Sequence, residues 1–198
     1  MKNKRALIPI IIGAFLFIIY AASKTKKMVT AVFKDPKDYI KKMLPLALAV
    51  ERATGIPHLF LLAQSAFETG WGKSSLVPEA FNFGGIKAKP GQPYVTKYTW
   101  EHVSDPNKYP TRDKSKDKVL PEGKTAIYLP QNFAKFPDLQ TGFDQYKNTL
   151  LKPRYSGAFQ YKNDPYKFAA EIRAAGYATD VNYTAKLAKM IDAVKKYI

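Results

Sequence analysis

The chain has 198 residues, 46% hydrophobic and 14% aromatic, enough to bury one core without staples and too apolar for a disordered chain. It has no cysteine, which excludes a disulfide framework, a thiol nucleophile and cysteine-based zinc or iron–sulfur sites. Thirty-two basic residues against 16 acidic ones give +16; six of the basic residues and no acid lie in residues 1–27, so +10 remains for residues 28–198.

Ala6 to Ala22 reads ALIPIIIGAFLFIIYAA, without a charge, between MKNKR and SKTKK. As helix this run spans about 26 Å, close to a hydrocarbon core, and the flanking lysines can snorkel. Residues 1–27 therefore read as an N-terminal membrane anchor or a signal peptide, with residues 6–22 as the transmembrane helix. The run is long for a signal peptide, and Ala21-Ala22-Ser23 is a mediocre cleavage site, so the anchor is favoured. Residues 28–37 read as a basic linker and residues 38–198 as one folded domain.

Asp38 to Arg52 carries a broad apolar stripe at helical spacing, closed by Thr54-Gly55. Pro45 inside it predicts a kink or the start of a new helix. Pro57 predicts the first turn of a second helix, apolar nearly all round and hence buried, which Gly70 and Gly72 end. From Phe81 to Phe136 the period changes. Tyr94 to Val103 predicts a strand, Ser104 to Gly123 a long mobile hairpin loop, and Lys124 to Phe136 a return strand. Asp138 to Leu151, Asp164 to Ala175 and Val181 to Tyr197 return to helical spacing, with Asp138 and Asp164 as N-caps, Pro165 at a first position and Gly176 at a C-cap. Helices, a small β lobe and helices again make an α+β layout.

Glu68 stands apart among the six glutamates. It lies in the last turn of the apolar helix, between Phe67 and Trp71, where poor solvation and the negative end of the helix dipole both raise its pKa. A raised carboxyl is what a general acid needs near neutral pH; the plain alternative is a head group reaching solvent at the helix end. Gln64, four residues earlier, shares its face. Glu101 lies near the end of the predicted strand, opposite in direction to Tyr94, Tyr98 and Trp100. Read alone it is an ordinary strand residue, or a second carboxylate across a cleft. His58 and His102 are far apart and read as structural or surface groups, which argues against a histidine metal site or a Ser-His-Asp triad.

QSAFETGWGKSSL (residues 64–76), NFGGIKA (82–88) and GYATDVNYTAKL (176–187) together resemble the glucosaminidase family of bacterial peptidoglycan hydrolases, glycoside hydrolase family 73, found in flagellar muramidases and autolysins. The resemblance covers about residues 36–198. It implies a lysozyme-like α+β fold: an α-helical body, a small β-hairpin lobe and a groove between them. It assigns Glu68 as general acid, Glu101 as the second acid of the β lobe and Tyr177 as a tyrosine lining the site; Glu101 would assist as base, or the substrate's own acetamido group would act as nucleophile. Gln64, Trp71, Asn82, Phe83, Gly84, Trp100 and Tyr183 are the implied substrate-binding set, with no metal and no cofactor. For Trp71 and Tyr183, core packing is the competing reading. Thr179 and Asp180 read as caps of the last helix.

The chain departs from the family pattern at Gly85, an extra glycine, and at Val181, where proline is usual. The 104–123 loop is longer than usual, which leaves Glu122 as the fallback for Glu101. The implied activity is an endo-beta-N-acetylglucosaminidase cutting the β-1,4 bond after N-acetylglucosamine in peptidoglycan glycan strands. It would act in the cell envelope, anchored to the membrane, with the catalytic domain outside the cytoplasm. A lytic transglycosylase or muramidase shares the layout, but its Gly-Leu-Met-Gln stretch is missing. A non-catalytic peptidoglycan-binding module would use the same groove. Nucleic-acid binding has only the positive charge in its favour, since no helix-turn-helix or RNP signature is present.

Overall fold

The computed structural model describes residues 31–121 and 123–198. The 6–22 segment, residues 28–30 of the linker and the fallback Glu122 therefore lie outside the described residues. Among the described residues no helix is long and apolar enough to cross a membrane, and no group of three or more His, Asp or Glu is poised for a metal ion.

Helix α1 (Pro36–Thr54) starts where the Asp35 carboxylate accepts from Asp38 N at 2.8 Å and ends at Gly55 in the left-handed region. One helix runs through Pro45, so no new helix starts there. Pro45 lies on the exposed side, where the carbonyl that its missing N–H leaves free faces solvent rather than the core. Helix α2 (His58–Thr69) follows, with Pro57 as N-cap rather than as a first-turn residue. Glu51 of α1 supplies what Pro57 cannot: its carboxylate accepts from His58 N at 3.0 Å and pairs with the His58 ring at 2.8 Å. His58 is thus structural.

The sequence of α2 is apolar all round because α1, α5 and α6 all pack against it. Residues 60–66 are fully buried. At the end of α2, Gly70, Trp71 and Gly72 all take positive φ. A Cβ on Gly72 would stand 2.2 Å from the Phe33 ring, so the turn needs glycine for space as well as for conformation. The short helix α3 (Leu76–Ala80) was not foreseen; five residues are too few to show a period.

Strands β1 (Tyr94–Val103) and β3 (Thr125–Ala134) pair antiparallel along their whole length, with Glu101 opposite Ile127 and Trp100 opposite Tyr128. The expected mobile loop between them is instead braced. Asp105 and Asp113 each cap a 3-10 turn, Arg112 pairs with Asp117 at 2.8 Å, and a two-residue strand β2 (Lys118–Val119) joins β3. The sheet order is β1-β3-β2.

Helix α4 (Leu139–Leu150) is capped by Asp138, and α5 (Pro165–Ala174) by Asp164 with Pro165 in the first turn. Between them a 3-10 run covers Pro153–Tyr161, a stretch without a sequence assignment. Helix α6 (Tyr183–Lys195) completes the body. Asn182, not Thr179 or Asp180, is its N-cap, without a side-chain cap bond; Asp180 instead braces the turn before it, its carboxylate accepting from Asn182 N at 2.8 Å and its backbone carbonyl from Tyr183 N at 3.1 Å.

Candidate active site

Glu68 ends α2 mostly buried, with a small part of the residue at the surface, while Gln64 one turn earlier is fully buried. The i, i+4 spacing puts both on one face, and α6 lays Tyr183 across that face. The Tyr183 hydroxyl donates to Glu68 Oε1 at 3.2 Å and accepts from Gln64 Nε2 at 2.9 Å. Gln64 Oε1 in turn accepts from the Tyr146 hydroxyl of α4 at 2.5 Å. Four side chains from three helices thus form one directed chain: Tyr146 to Gln64, Gln64 to Tyr183, Tyr183 to Glu68. Each buried polar atom in it has a partner, which is the condition for placing such a chain inside a core.

Burial pushes the Glu68 carboxyl up to about 7, and the Tyr183 hydrogen bond pulls it back only in part. Burial, with the nearby Glu68 charge, holds Tyr146, Tyr177 and Tyr183 well above the ordinary phenol range. The phenols therefore stay neutral donors while Glu68 changes state near neutral pH. That is the protonation pattern of a general acid in a fixed cradle.

Tyr177 is 3% exposed and packs on Tyr183 at 5.8 Å and Tyr155 at 6.1 Å between ring centroids. Phe67 closes the other side of Tyr183 edge-on at 5.8 Å. Tyr183 thus both packs and hydrogen-bonds, and Tyr177 stands in the same aromatic wall near Glu68.

Glu101 lies on the face of the sheet it shares with Ile127, Leu129 and Phe133, the buried face turned to the helical body. Its carboxylate meets Lys87 Nζ at 3.6 Å. Lys87 Nζ stands 4.0 Å from the Phe133 ring centroid, and burial pulls the Lys87 pKa down against the pull of Glu101. No hydrogen bond joins Glu101 to Glu68; they belong to separate lobes.

The remaining sequence candidates fall elsewhere. Asn82 is 1% exposed and its amide is fully used: Nδ2 donates to the Ile86 and Ala134 carbonyls and Oδ1 accepts from Ile86 N, each at 2.9 Å. Phe83 is buried edge-on against Phe143. A Cβ on Gly84 would meet the Tyr146 ring at 3.2 Å. These three residues build the turn that backs Tyr146. Trp71 packs edge-on against Tyr39 and Tyr197. Trp100 lies on the sheet face opposite Glu101, against Tyr128. Sequence reasoning missed Tyr146 and Lys87. The signal for Lys87 was its place in the NFGGIKA segment; for Tyr146 it was the need of a buried Gln64 for a second partner.

Residues 44–196 match the Glucosaminidase family, described as mannosyl-glycoprotein endo-beta-N-acetylglucosaminidase. The chain belongs to the glucosaminidase family. Curated relatives include the peptidoglycan hydrolase FlgJ of Pseudomonas aeruginosa, 28% identical over 84% of this chain and 39% of that protein. The FlgJ of Vibrio parahaemolyticus is 30% identical over 79% of this chain and 47% of that protein. The chain thus spans less than half the length of these relatives. Among solved structures, the glycoside hydrolase domain of Salmonella typhimurium FlgJ superposes with a TM-score of 0.60 at 24% identity, over 82% of this chain and 90% of that one. A peptidoglycan hydrolase mutant from Sphingomonas sp. A1 superposes with a TM-score of 0.61 at 26% identity, over 81% and 97%. The glucosaminidase fold here is the lysozyme-like α+β fold, a helical body with a small three-stranded sheet.

Proposed function

We propose that this glucosaminidase-family chain is a peptidoglycan hydrolase, an endo-beta-N-acetylglucosaminidase that cuts the β-1,4 bond after N-acetylglucosamine. The observation that carries the reading is Glu68, a carboxyl lifted to about 7 and held by the Tyr183 hydroxyl. Glycoside hydrolysis needs a protonated carboxyl at the leaving oxygen and a second group for the incoming water. Glu68 gives its proton to the glycosidic oxygen. Glu101, with the Lys87 ammonium beside it, takes the proton of the attacking water. Tyr177 and Tyr183, both buried, back the site: the Tyr183 hydroxyl holds Glu68 and the Tyr177 ring packs behind Tyr183.

The 6–22 segment, flanked by lysines, anchors the protein to the membrane and places the domain in the envelope, where the substrate is. The net charge of +10 on residues 28–198 suits a polymer bearing carboxylates, and this attraction fades as salt rises.

The test is digestion of purified peptidoglycan by the full chain, borohydride reduction of the products and identification of the reducing ends by mass spectrometry. Reduced N-acetylglucosamine ends, lost in Glu68→Gln, are expected. Anhydromuramyl ends would move the assignment to a lytic transglycosylase. Wall binding without products from either protein would make the domain a binding module.

A further inference from the structure

The sheet carries a second row of side chains that the Glu68 site leaves unused. Strand alternation puts Tyr94, Tyr98 and Trp100 on the face opposite Glu101. Tyr94 and Tyr98 are 55% and 57% exposed, far more than packing requires of a tyrosine. Tyr128, on the same face, lies 5.3 Å from Tyr98 and 5.2 Å from Trp100 between ring centroids, tilted by 31° and 44°. The three rings form one shallow platform. Between Tyr94 and Tyr98 the face is polar and uncharged, with Thr96 hydrogen-bonded to Asn132 at 2.8 Å.

The charges sit at the two ends. At one end Lys118 Nζ stands 5.2 Å from the Trp100 ring and Lys116 Nζ 4.2 Å from the Tyr128 ring. At the other, the row opens into a recess of about 760 Å³ whose lining includes Lys89, Pro90, Tyr94, Asn132 and Lys135. Lys116 shares its charge with Asp113 at 3.4 Å, whereas Lys89, Lys118 and Lys135 make no ion pair among the described residues. From Tyr94 to Trp100 the row runs about 20 Å at the usual strand rise.

We propose that this outer face is a second glycan-binding strip, holding a neighbouring, uncut strand of carboxylate-bearing wall glycan while Glu68 works on another. The proposal rests on the peptidoglycan reading above. Aromatic faces stack on the apolar faces of sugar rings, and Thr96 and Asn132 offer hydrogen bonds to acetamido and hydroxyl groups. Cations at the ends with an uncharged middle fit a polymer whose carboxylates are sparse. A nucleic acid carries a phosphate at every residue and calls for cations along the whole row.

The test uses the full chain with the double substitution Tyr98→Ala and Lys118→Ala, both at partly or well exposed positions away from Glu68. Wall binding is measured by co-sedimentation with insoluble peptidoglycan in the Glu68→Gln background, so that the polymer is not consumed. Turnover is measured with Glu68 intact, on whole sacculi and on a soluble wall tetrasaccharide. The expected result is about tenfold weaker sedimentation, slower turnover of sacculi and unchanged turnover of the tetrasaccharide. Undiminished sedimentation would overturn the strip. So would an equal loss on the tetrasaccharide, because the row would then belong to the catalytic groove. Tighter binding to a single-stranded oligonucleotide, lost in the same variant, would reassign the face to nucleic acid. A parent protein that neither binds nor cuts the wall removes the peptidoglycan reading itself; one that does both beside an unaffected variant removes the strip alone.

Discussion

The Tyr183 hydroxyl donates to the Glu68 carboxyl at 3.2 Å while accepting from Gln64 Nε2, so this carboxyl is aimed by a residue 115 positions away in sequence. Glu68 sits on the last turn of α2 and Tyr183 on the first turn of α6, two helices that pack directly. The position of this carboxyl is therefore set by helix packing in the core and not by a loop. A site fixed this way holds its geometry without substrate to organise it.

Tyr183→Phe removes one donor to Glu68 and the acceptor that Gln64 Nε2 uses among the described residues. The lost bond favours the charged carboxyl, so its removal moves the Glu68 pKa further up and the alkaline limb of the pH–rate profile with it. The stranded Gln64 amide costs about 1–3 kcal/mol of stability. Both effects are expected together, one in a pH–rate profile and one in urea unfolding. An unmoved alkaline limb would show that the hydroxyl does not act on Glu68.

The folded-state pKa of Glu68 is raised, the reverse of the usual carboxylate, and this fixes a sign. Its contribution to stability is whole below the unfolded value of 4.5 and is lost as pH rises towards about 7. Glu68→Gln removes the titration but keeps the size. The stability of the natural protein minus that of the variant should therefore fall between pH 4.5 and 7 and be level on either side. Denaturant midpoints for both proteins at four pH values check this; a difference flat across the window counts against a buried acid. Activity should decline over the same upper range, since only the protonated form gives up a proton.

Much of this architecture was legible in the chain, for reasons that can be named. Strand β1 is rich in β-branched and aromatic residues over Tyr94 to Val103, and Asp138 and Asp164 cap helices by local bonds, so a short window contains all the information. Glu68 was visible because a carboxylate in an all-apolar helix has nowhere to be solvated. Helix α3 and strand β2 were invisible because five and two residues carry no period. Tyr146 went unnamed within the helical segment Asp138 to Leu151, since helical spacing does not reveal which ring carries a hydroxyl that a distant Gln64 needs. The Lys87–Glu101 pair depends on where the 86–88 segment meets β3, through the Lys87–Phe133 bridge, a non-local contact. Asn82 looked like a binding residue because its motif is shared; its three bonds turn inward.

Asn82→Ala tests that last reading. It leaves Ile86 N and the Ala134 carbonyl without their side-chain partner in a buried turn, at a cost of about 3 kcal/mol. Urea unfolding should show this loss. At a temperature where the variant is still folded, KM on peptidoglycan fragments should stay within about twofold, because a side chain that touches only backbone contributes nothing to substrate affinity. A large rise in KM with little loss of stability would return Asn82 to the substrate-binding set.

Glu101→Gln addresses the second half of the chemistry. Glu101 is partly exposed and makes one ion pair, at 3.6 Å to Lys87, so its replacement should cost well under about 1 kcal/mol of stability. If Glu101 activates the water, kcat should fall by about 10²–10⁴ with KM little changed, the range for a positioned base. Azide offered to a Glu101→Ala variant should then restore turnover, since the truncation opens a space beside Lys87 where a small anion fits and attacks without needing a base. If kcat instead stays within a few-fold of the natural protein, the substrate's own acetamido group is the nucleophile, and Glu101 serves only to hold Lys87 over Phe133. Glu68 keeps its role in either case, because both routes begin with a proton delivered to the glycosidic oxygen.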